Sequence, residues 1–389
     1  MSDMEDEVLF EVTKKHLETG LRGIPVGFCN TSAVDPTKGL CYRGLDIASL
    51  CRWQPERVMY LIFYGSEGSS EEIEKFSNDL KSRAFLSHKT KKYINALPRE
   101  GTVMQILRCA LGIVSMVEGC GNYKEDALNI MAKMPQLVAG SINHHAGWGQ
   151  TPESNPDLSL TDNFIHLLNF PDKNSSLLSE AMRLFAVVHF DHGGGNLSAF
   201  VGKAVASGLE DMYGSLIASF SALSGLRHGS ANMKSIELVK QVRALLGEKL
   251  DEKELSTLIE TWLSEGCLIY GFGHAVLKVE DPRATLLYDW ALQHPQISKH
   301  ELIETAVFLR KNVPPLLQKK KKMSSPHPNV DAISGSVLSA ASFDYPEYFT
   351  AIFALFRSVG IVSQILYERE HAREGKGTPI LRPRYIPTL

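Results

Sequence analysis

Residues 346–367 of the 389-residue chain read PEYFTAIFALFRSVGIVSQILY, and this stretch decides the fold. Apolar side chains occupy every face of a helix built from it, and such a helix must be surrounded by other packed elements. Arg357 lies in its middle. A buried guanidinium without a partner costs roughly 3–5 kcal/mol. The stretch therefore predicts a helical core in which Arg357 meets an anion, either a structural carboxylate or a bound ligand.

Helical periodicity extends over most of the remaining chain. Apolar residues recur at three- and four-residue spacing in residues 124–142, 176–190 and 303–317. Residues 21–46 differ, because short extended runs there alternate with turn residues. The sequence thus predicts an all-α, mainly helical fold with a short β-rich N-terminal segment. A length of 389 residues suits one large domain or two unequal domains.

Composition and charge restrict the class of protein. Hydrophobic residues make up 44% and charged residues 22%, as in ordinary globular proteins. The net charge of −3 gives no reason to expect binding to nucleic acid or to a membrane. The six cysteines form no CxxC pair, which indicates reduced thiols. The acidic N-terminus resembles neither a secretory signal nor a mitochondrial transit peptide, so the sequence predicts a cytoplasmic protein.

One acid and two histidines stand in settings that suggest catalysis. Asp331 ends the polar run Pro328-Asn329-Val330, and both His228 and His274 have glycine neighbours. A carboxylate and two histidines are the groups needed to remove a proton from carbon and to stabilise the oxyanion that forms. The residue types therefore indicate carbon-acid chemistry.

Three basic sites point to an anionic ligand. Arg283 follows Asp281-Pro282 in the first turn of a predicted helix, where a positive charge is unfavourable unless an anion lies close by. Arg382 lies in a C-terminal segment whose Pro, Ile and Tyr residues suggest a docked tail. The run Lys319–Lys322 suits a phosphate-rich ligand. For each site a solvated surface charge is the competing interpretation.

Two other motifs carry less weight. Gly271-Phe272-Gly273 opens like a dinucleotide fingerprint, but Val276 stands where the third glycine belongs, and no βαβ pattern surrounds it. His189, Asp191 and His192 lack the spacing of a metal-binding helix. We therefore predict neither a nicotinamide cofactor nor a metal site.

Several segments together resemble the citrate synthase family. They follow the family's order and cover nearly the whole chain, so the set is far more specific than any one segment. The segments are Gly20–Pro25, Tyr42–Ile47, His189–Ser198, Ala222–Asn232, Gly271–Arg283, His327–Gly335, Phe353–Gly360 and Arg382–Arg384.

The resemblance implies a two-domain, almost all-helical homodimer. Such a protein condenses acetyl-CoA with oxaloacetate and water to give citrate and CoA, the first step of the tricarboxylic acid cycle. A large domain would comprise residues 1–229 and 341–389, and a small domain of residues 230–340 would close over the substrates. Acetyl-CoA would be a substrate, and no further cofactor is implied.

The family's site residues carry over one by one. Asp331 matches the catalytic base, His228 the histidine that stabilises the enol, and His274 the histidine at the oxaloacetate carbonyl. The residues that would bind oxaloacetate are His192, Arg283, Arg357 and Arg382, with Arg382 reaching the site of the partner subunit. The residues that would contact coenzyme A are Gly271, Phe272, Gly273, Lys278, Lys321, Lys322 and Asn329.

Two departures from the family pattern leave alternatives open. Gly193 stands where the family usually has a glutamate, and Leu226-Arg227 precedes His228 where Pro-Leu is usual. A non-catalytic binding homologue is therefore one alternative. A second is 2-methylcitrate synthase, because the same residues would act on propionyl-CoA, and one methylene is worth only about 1–3 kcal/mol.

Overall fold

The computed structural model describes residues 8–171, 176–226, 228–321 and 325–387. Arg227 and Lys322 lie outside the described residues, and of Lys321 only the backbone is described. The strands are β1 (Ser32–Asp35), β2 (Gly39–Tyr42) and β3 (Leu45–Asp46). The α-helices of the described chain are α1 (Ile47–Leu50), α2 (Pro55–Tyr64), α3 (Ser70–Arg83), α4 (His88–Asn95), α5 (Val103–Glu118), α6 (Tyr123–Ala146), α7 (Leu160–Leu167), α8 (Ser176–His189), α9 (Leu197–Ala206), α10 (Met212–Leu223), α11 (Ala231–Leu246), α12 (Glu252–Ser264), α13 (Pro282–Gln293), α14 (Pro295–Ser298), α15 (Glu301–Lys321), α16 (Asp331–Ala340) and α17 (Phe349–Leu366).

The chain is mainly helical, which confirms the predicted fold class. The stretches with helical periodicity fall in α6, α8 and α15, and the apolar stretch of residues 346–367 contains α17. The sheet is smaller than the predicted β-rich segment, because its three antiparallel strands begin only at Ser32. Residues 24–30 pair with no strand of the described chain. Pro25 has no amide hydrogen to give to a ladder, and Val26 and Phe28 are exposed.

Helix α17 lies at the centre of the hydrophobic core. It packs against α2, α5, α6, α8, α9 and α10, and all of its side chains but Phe353 are buried. Gly360 allows the closest of these approaches, since a Cβ there would lie 2.5 Å from Asp191 Cγ. The segment Pro346–His371 is long and apolar enough to cross a membrane by length and composition alone. Its most apolar window is 94% buried in the protein, as expected of a core helix.

Helices α11 to α16 form a second packing group. They pack largely on one another, and they meet the rest of the chain along β2, α1, α8 and α17. His192 follows α8, Arg283 is the second residue of α13 and Asp331 begins α16, so these predicted site residues lie along the boundary between the two groups. The division into a large and a small domain, and any closure between them, stays a prediction.

Candidate active site

The turn after helix α8 carries His192, and a buried carboxylate fixes its path. Asp191 accepts hydrogen bonds from Thr31 Oγ1 (2.5 Å), Ser32 Oγ (2.8 Å) and Gln364 Nε2 (2.7 Å). The backbone amide of His192 donates a fourth, at 2.8 Å. Four donors to one carboxylate satisfy its lone pairs and hold the turn in one position.

The ring of His192 lies beside Arg283. A guanidinium can only donate, so His192 Nε2 accepts the 3.1 Å hydrogen bond from Arg283 Nη2. Burial first, and then the charges of Arg283 and Arg357, lower the pKa of His192 well below its usual value. His192 is therefore neutral, and its proton lies on Nδ1.

Arg283 is buried in the first turn of α13 together with an anion of its own. The N-cap residue Asp281 accepts from the backbone amide of Arg283 at 3.0 Å and from Nη2 at 2.6 Å. Burial opposes the charge, but the Asp281 carboxylate outweighs it and raises the pKa of Arg283. The conflict expected between this cation and the helix dipole is thus resolved by the capping residue itself.

Arg357 is buried in α17 and has no ion partner within the described chain. Its Nε donates to the carbonyl oxygen of His189 at 2.8 Å, and the guanidinium lies 4.6 Å from the ring centroid of Phe353. No described carboxylate oxygen lies within 4.0 Å of its nitrogen atoms. Burial lowers its pKa to about 10, although Asp191 opposes the change. The sequence allowed either a structural carboxylate or a bound ligand as the anion that meets Arg357. No carboxylate of the described residues pairs with it, so a bound ligand is the remaining interpretation.

His274 presents a defined hydrogen-bond donor. Its Nδ1 accepts from the backbone amides of Val276 (3.0 Å) and Leu277 (2.9 Å), which can only donate. Burial and then Arg283 lower the pKa of His274, so the ring is neutral with its proton on Nε2. The ring centroid lies 5.4 Å from that of His192. His274 thus offers an N–H group at the site formed by His192 and Arg283.

His228 is held in the opposite tautomer. Its Nε2 lies 3.3 Å from the backbone amide of Ser198, at the N-terminus of α9, and 2.9 Å from Ser198 Oγ. Because the amide must donate, Nε2 is the acceptor and the proton lies on Nδ1. Burial and then Arg357 lower the pKa of His228 to about 4. His228 is therefore a neutral donor near neutral pH.

Asp331 is the first residue of α16, and its carboxylate belongs to the same charged cluster. Burial raises its pKa to about 6, while Arg283 and Arg357 favour the ionised form and Asp281 disfavours it. Near neutral pH the carboxylate is ionised and is a stronger base than an exposed aspartate. This is the combination that a general base requires.

A short antiparallel pairing joins the loop of His274 to the loop of Asp331. The Asn329 amide donates to Gly271 O, and the Gly273 amide donates to His327 O, each at 2.9 Å. The Asn329 side chain then donates to Gly273 O at 2.9 Å and accepts from the Asp331 amide at 2.9 Å. Asn329, predicted to contact coenzyme A, therefore uses its side-chain amide to join the loop of His274 to the loop of Asp331.

Gly271 is required where these loops meet. Its φ is +85°, a conformation that side chains other than glycine rarely adopt, and a Cβ would lie 2.8 Å from Ala332 Cα. Gly273 also has positive φ, at +91°. Two glycines thus give the loop its shape and let it lie against the start of α16.

Three of the predicted coenzyme A contacts, Gly271, Phe272 and Asn329, line an apolar cavity of about 320 Å³. Lys278, another predicted coenzyme A contact, follows His274 in the sequence, and its side chain is exposed. Lys322 falls outside the described residues, and the Lys321 side chain is not described. The cavity is lined by Leu226, Ala231, Leu263, Leu268, Ile269, Tyr270, Gly271, Phe272, Leu317 and Asn329.

Arg382 stands apart from the other predicted ligands. It is exposed in an extended C-terminal segment, and the preceding residue, Leu381, donates its amide to Ser207 Oγ at 2.9 Å. No hydrogen bond to Arg382 occurs within the described residues. The structure of the single chain thus brings together His192, Arg283, Arg357, His228, His274 and Asp331, but not Arg382.

Sequence reasoning missed several residues that support this cluster. Asp281 was recognised only as a helix cap, although its position two residues before Arg283 also allows ion pairing. Thr31, Ser32 and Gln364 gave no signal, because they reach Asp191 from about 160 and 173 residues away in the sequence.

Comparisons with known proteins agree on one family. The family model described as "Citrate synthase, C-terminal domain" matches residues 20–384. The mitochondrial citrate synthase of Citrus maxima is 31% identical over 99% of this chain and 85% of its own length. The mitochondrial 2-methylcitrate synthase of Yarrowia lipolytica is 28% identical over 98% of this chain and 85% of its own length.

A solved structure shows the same fold. Citrate synthase of Thermoplasma acidophilum, in a ternary complex with carboxymethyl coenzyme A and oxaloacetate, superposes with a TM-score of 0.79. The match covers 95% of this chain and 98% of that one at 23% identity, which establishes likeness of fold alone.

The names of the curated relatives correct one prediction. Both relatives are mitochondrial proteins, so the expectation of a cytoplasmic location is wrong on this comparison. That expectation depended on the acidic residues at the N-terminus. Targeting segments are recognised and removed separately from the folded protein, so the composition of the folded chain does not record its compartment.

Proposed function

This chain belongs to the citrate synthase family, and we propose that it condenses acetyl-CoA with oxaloacetate and water to give citrate and CoA. The proposal rests on two neutral histidines with opposite tautomers, each affected by one of the arginines that also act on Asp331, a carboxyl group of raised pKa. Each group has the protonation state that one step of this reaction needs.

Oxaloacetate is the expected ligand of the buried cations. Arg357 has no carboxylate partner among the described residues, and Arg283 keeps its charge because Asp281 compensates it. A dicarboxylate would supply the anion that Arg357 lacks, through the paired hydrogen bonds that guanidinium groups form with carboxylates. Neutral His192 would add its Nδ1–H as a donor.

Enolisation of acetyl-CoA would use Asp331 and His228. Asp331 takes a proton from the acetyl methyl group, and negative charge moves to the thioester oxygen. His228 donates a hydrogen bond to that oxygen from Nδ1, which stabilises the charge as it develops. With a pKa of about 4, His228 is neutral near pH 7 and still carries the Nδ1–H that makes this hydrogen bond.

Condensation would follow at the oxaloacetate carbonyl. The enolate carbon attacks the ketone carbon, a carbon–carbon bond forms, and the ketone oxygen takes up the negative charge. His274 Nε2–H polarises that oxygen, and the positive charge of Arg283, which also acts on His274, favours the charge that develops there. A proton then converts that oxygen to the hydroxyl of citryl-CoA, and Asp331 gives up the proton that it had accepted. Water then cleaves the citryl thioester, and CoA leaves with its thiol restored.

The coenzyme A site and the assembly form part of the same proposal. The apolar cavity beside Phe272 suits the pantetheine arm, and Lys278 and the lysine run suit the phosphates. We propose that Arg382 reaches the site of a second subunit in a homodimer, as the resemblance implies, and its exposed side chain is free to do so. The names of the relatives favour a mitochondrial location, which cell fractionation would test.

One observation favours a second candidate function. A 2-methylcitrate synthase is nearly as similar to this chain as the citrate synthases are. That enzyme differs by one methylene in its acyl substrate, which the catalytic residues described here would not distinguish.

Thiol release separates these possibilities. Purified protein is mixed with acetyl-CoA or propionyl-CoA, with and without oxaloacetate, and free thiol is measured over time. We expect oxaloacetate-dependent release that is faster with acetyl-CoA. Faster turnover of propionyl-CoA would identify the methylcitrate reaction. Folded protein that releases no thiol from either substrate would be a non-catalytic homologue.

A further inference from the structure

The β1–β2 hairpin contacts two separate parts of the site. At its base, Ser32 Oγ donates to Asp191 at 2.8 Å and accepts from the Gly193 amide at 2.7 Å. Tyr42, opposite Ser32 in the ladder, donates from Oη to Val187 O at 2.8 Å and accepts from the Asp191 amide at 3.2 Å. The base of the hairpin therefore forms hydrogen bonds with residues before and after His192 in this turn.

The tip of the same hairpin contacts the segment before Arg283. Pro36 O accepts from the backbone amide of Lys278 at 2.8 Å. Gly39 packs directly on Pro282, the first residue of α13, and a Cβ at Gly39 would lie 2.5 Å from Pro282 Cγ. Asp35 fixes the tip by accepting from the amides of two turn residues at 2.8 Å each. The tip therefore sets the position of the residue next to Arg283.

We propose that the hairpin is a positioning element that sets the distance between His192 and Arg283. About four residues of extended strand, or roughly 13 Å, separate its two sets of contacts, and a strand of that length is stiff when it is paired. Its ends hold parts of the chain that are about 90 residues apart and that meet through the 3.1 Å hydrogen bond between His192 and Arg283. The inference rests on the proposed function only in that oxaloacetate is used as the ligand.

Gly193 lies in the same turn, directly after His192, with φ +73° and no side chain to orient its neighbour. The Gly193 amide is bound by Ser32 instead. The hairpin thus supplies from outside the turn the constraint that a side chain within the turn would give.

Two glycines of the hairpin region allow a matched test. Gly39 and Gly44 have nearly the same φ, +85° and +86°, so an alanine at either carries a similar backbone strain. Only at Gly39 does the new Cβ meet another segment, since nothing lies within 4 Å of a Cβ at Gly44. Gly39→Ala should therefore displace Pro282, whereas Gly44→Ala should not.

The measurement is oxaloacetate affinity by calorimetry, together with KM and kcat from thiol release. A displacement of about 1 Å at a binding group can cost on the order of 100-fold. We expect Gly39→Ala to weaken oxaloacetate binding by at least about 10-fold relative to Gly44→Ala and to raise KM more than it lowers kcat. Pro282→Ala removes the Cγ and Cδ atoms that the new Cβ would meet. The double variant Gly39→Ala/Pro282→Ala should therefore bind oxaloacetate almost as tightly as Pro282→Ala alone. Equal affinities in Gly39→Ala and Gly44→Ala would overturn the proposal.

A second readout does not depend on activity or on ligand. Hydrogen exchange of the free protein should be faster in Gly39→Ala than in Gly44→Ala for peptides covering residues 278–284. For peptides covering residues 190–196, exchange should be faster in Ser32→Ala than in the control Ser82→Ala. Ser82→Ala, which alters an exposed hydroxyl on α3, is the control for the serine variant. Unchanged exchange would refute the hairpin's role even if the protein forms citrate. If the wild type does not bind oxaloacetate but exchange in the variants changes as expected, the proposed function is refuted and the positioning role of the hairpin stands.

Discussion

The replacement Asp331→Asn should abolish turnover and make the folded protein more stable. Burial raises the pKa of this carboxyl from 3.8 to about 6. The folded protein therefore holds the proton more tightly than the unfolded chain does, and ionisation of Asp331 above pH 4 weakens the fold progressively until the pH passes about 6. Asparagine is neutral at every pH and avoids this cost.

The size of the effect follows from the pKa values. The difference of about 2 pH units, at about 1.4 kcal/mol for each, gives about 3 kcal/mol when the carboxyl is fully ionised. The linkage relation then predicts that Asp331→Asn exceeds the wild type in free energy of unfolding by about 1.5 kcal/mol at pH 5 and about 3 kcal/mol at pH 7.5. On the proposed function the wild type keeps this cost because Asp331 must be ionised to act as a base.

Urea denaturation at both pH values, at one fixed protein concentration, measures the difference. Asp289→Asn, on the exposed face of α13, serves as the control and should change the free energy of unfolding little at either pH. A stabilisation that does not grow with pH, or a variant less stable than the wild type at pH 7.5, would refute the reasoning. It would mean that Arg283 and Arg357 stabilise the ionised carboxylate more than burial penalises it.

Three further predictions concern the same cluster. For the wild type, kcat/KM should fall as the pH drops through about 6, because Asp331 becomes protonated, while His228 stays neutral down to about pH 4; a pH–rate profile flat between pH 5 and 8 would contradict the assignment of the base. Asp281→Asn should lower the free energy of unfolding by roughly 3–5 kcal/mol in urea titrations, since it leaves Arg283 buried without its carboxylate; a loss below about 1 kcal/mol would show that another anion compensates Arg283. Arg357→Met should raise the melting temperature of the free protein yet abolish the thermal stabilisation given by oxaloacetate, and a variant still stabilised by that ligand would remove Arg357 from the site.

The sequence predicts those features whose cause is local. The all-round apolar character of residues 346–367 correctly indicated a core helix with Arg357 buried in it. The Asp281-Pro282 pair correctly indicated the start of α13. Both predictions depend on residues within a few positions of one another, where periodicity and capping chemistry determine the structure.

Features that depend on distant contacts could not be predicted in the same way. The atom that Arg357 contacts is the carbonyl oxygen of His189, 168 residues away, and sequence offers no signal for a backbone acceptor at that distance. The histidine tautomers depend on which backbone amides point at each ring, and the loop of His274 takes its path from two glycines with positive φ. Chemical roles could therefore be assigned from the resemblance, whereas the protonation states that make those roles possible came from the folded chain.

Product analysis with an isotopic label tests the proposed condensation directly. Protein is incubated with oxaloacetate and acetyl-CoA labelled with carbon-13 in the acetyl group, and the products are identified by NMR. We expect labelled citrate and free CoA from the wild type, and neither from an Asp331→Asn variant that still binds oxaloacetate. Labelled citrate formed by Asp331→Asn at a rate near that of the wild type would contradict this expectation.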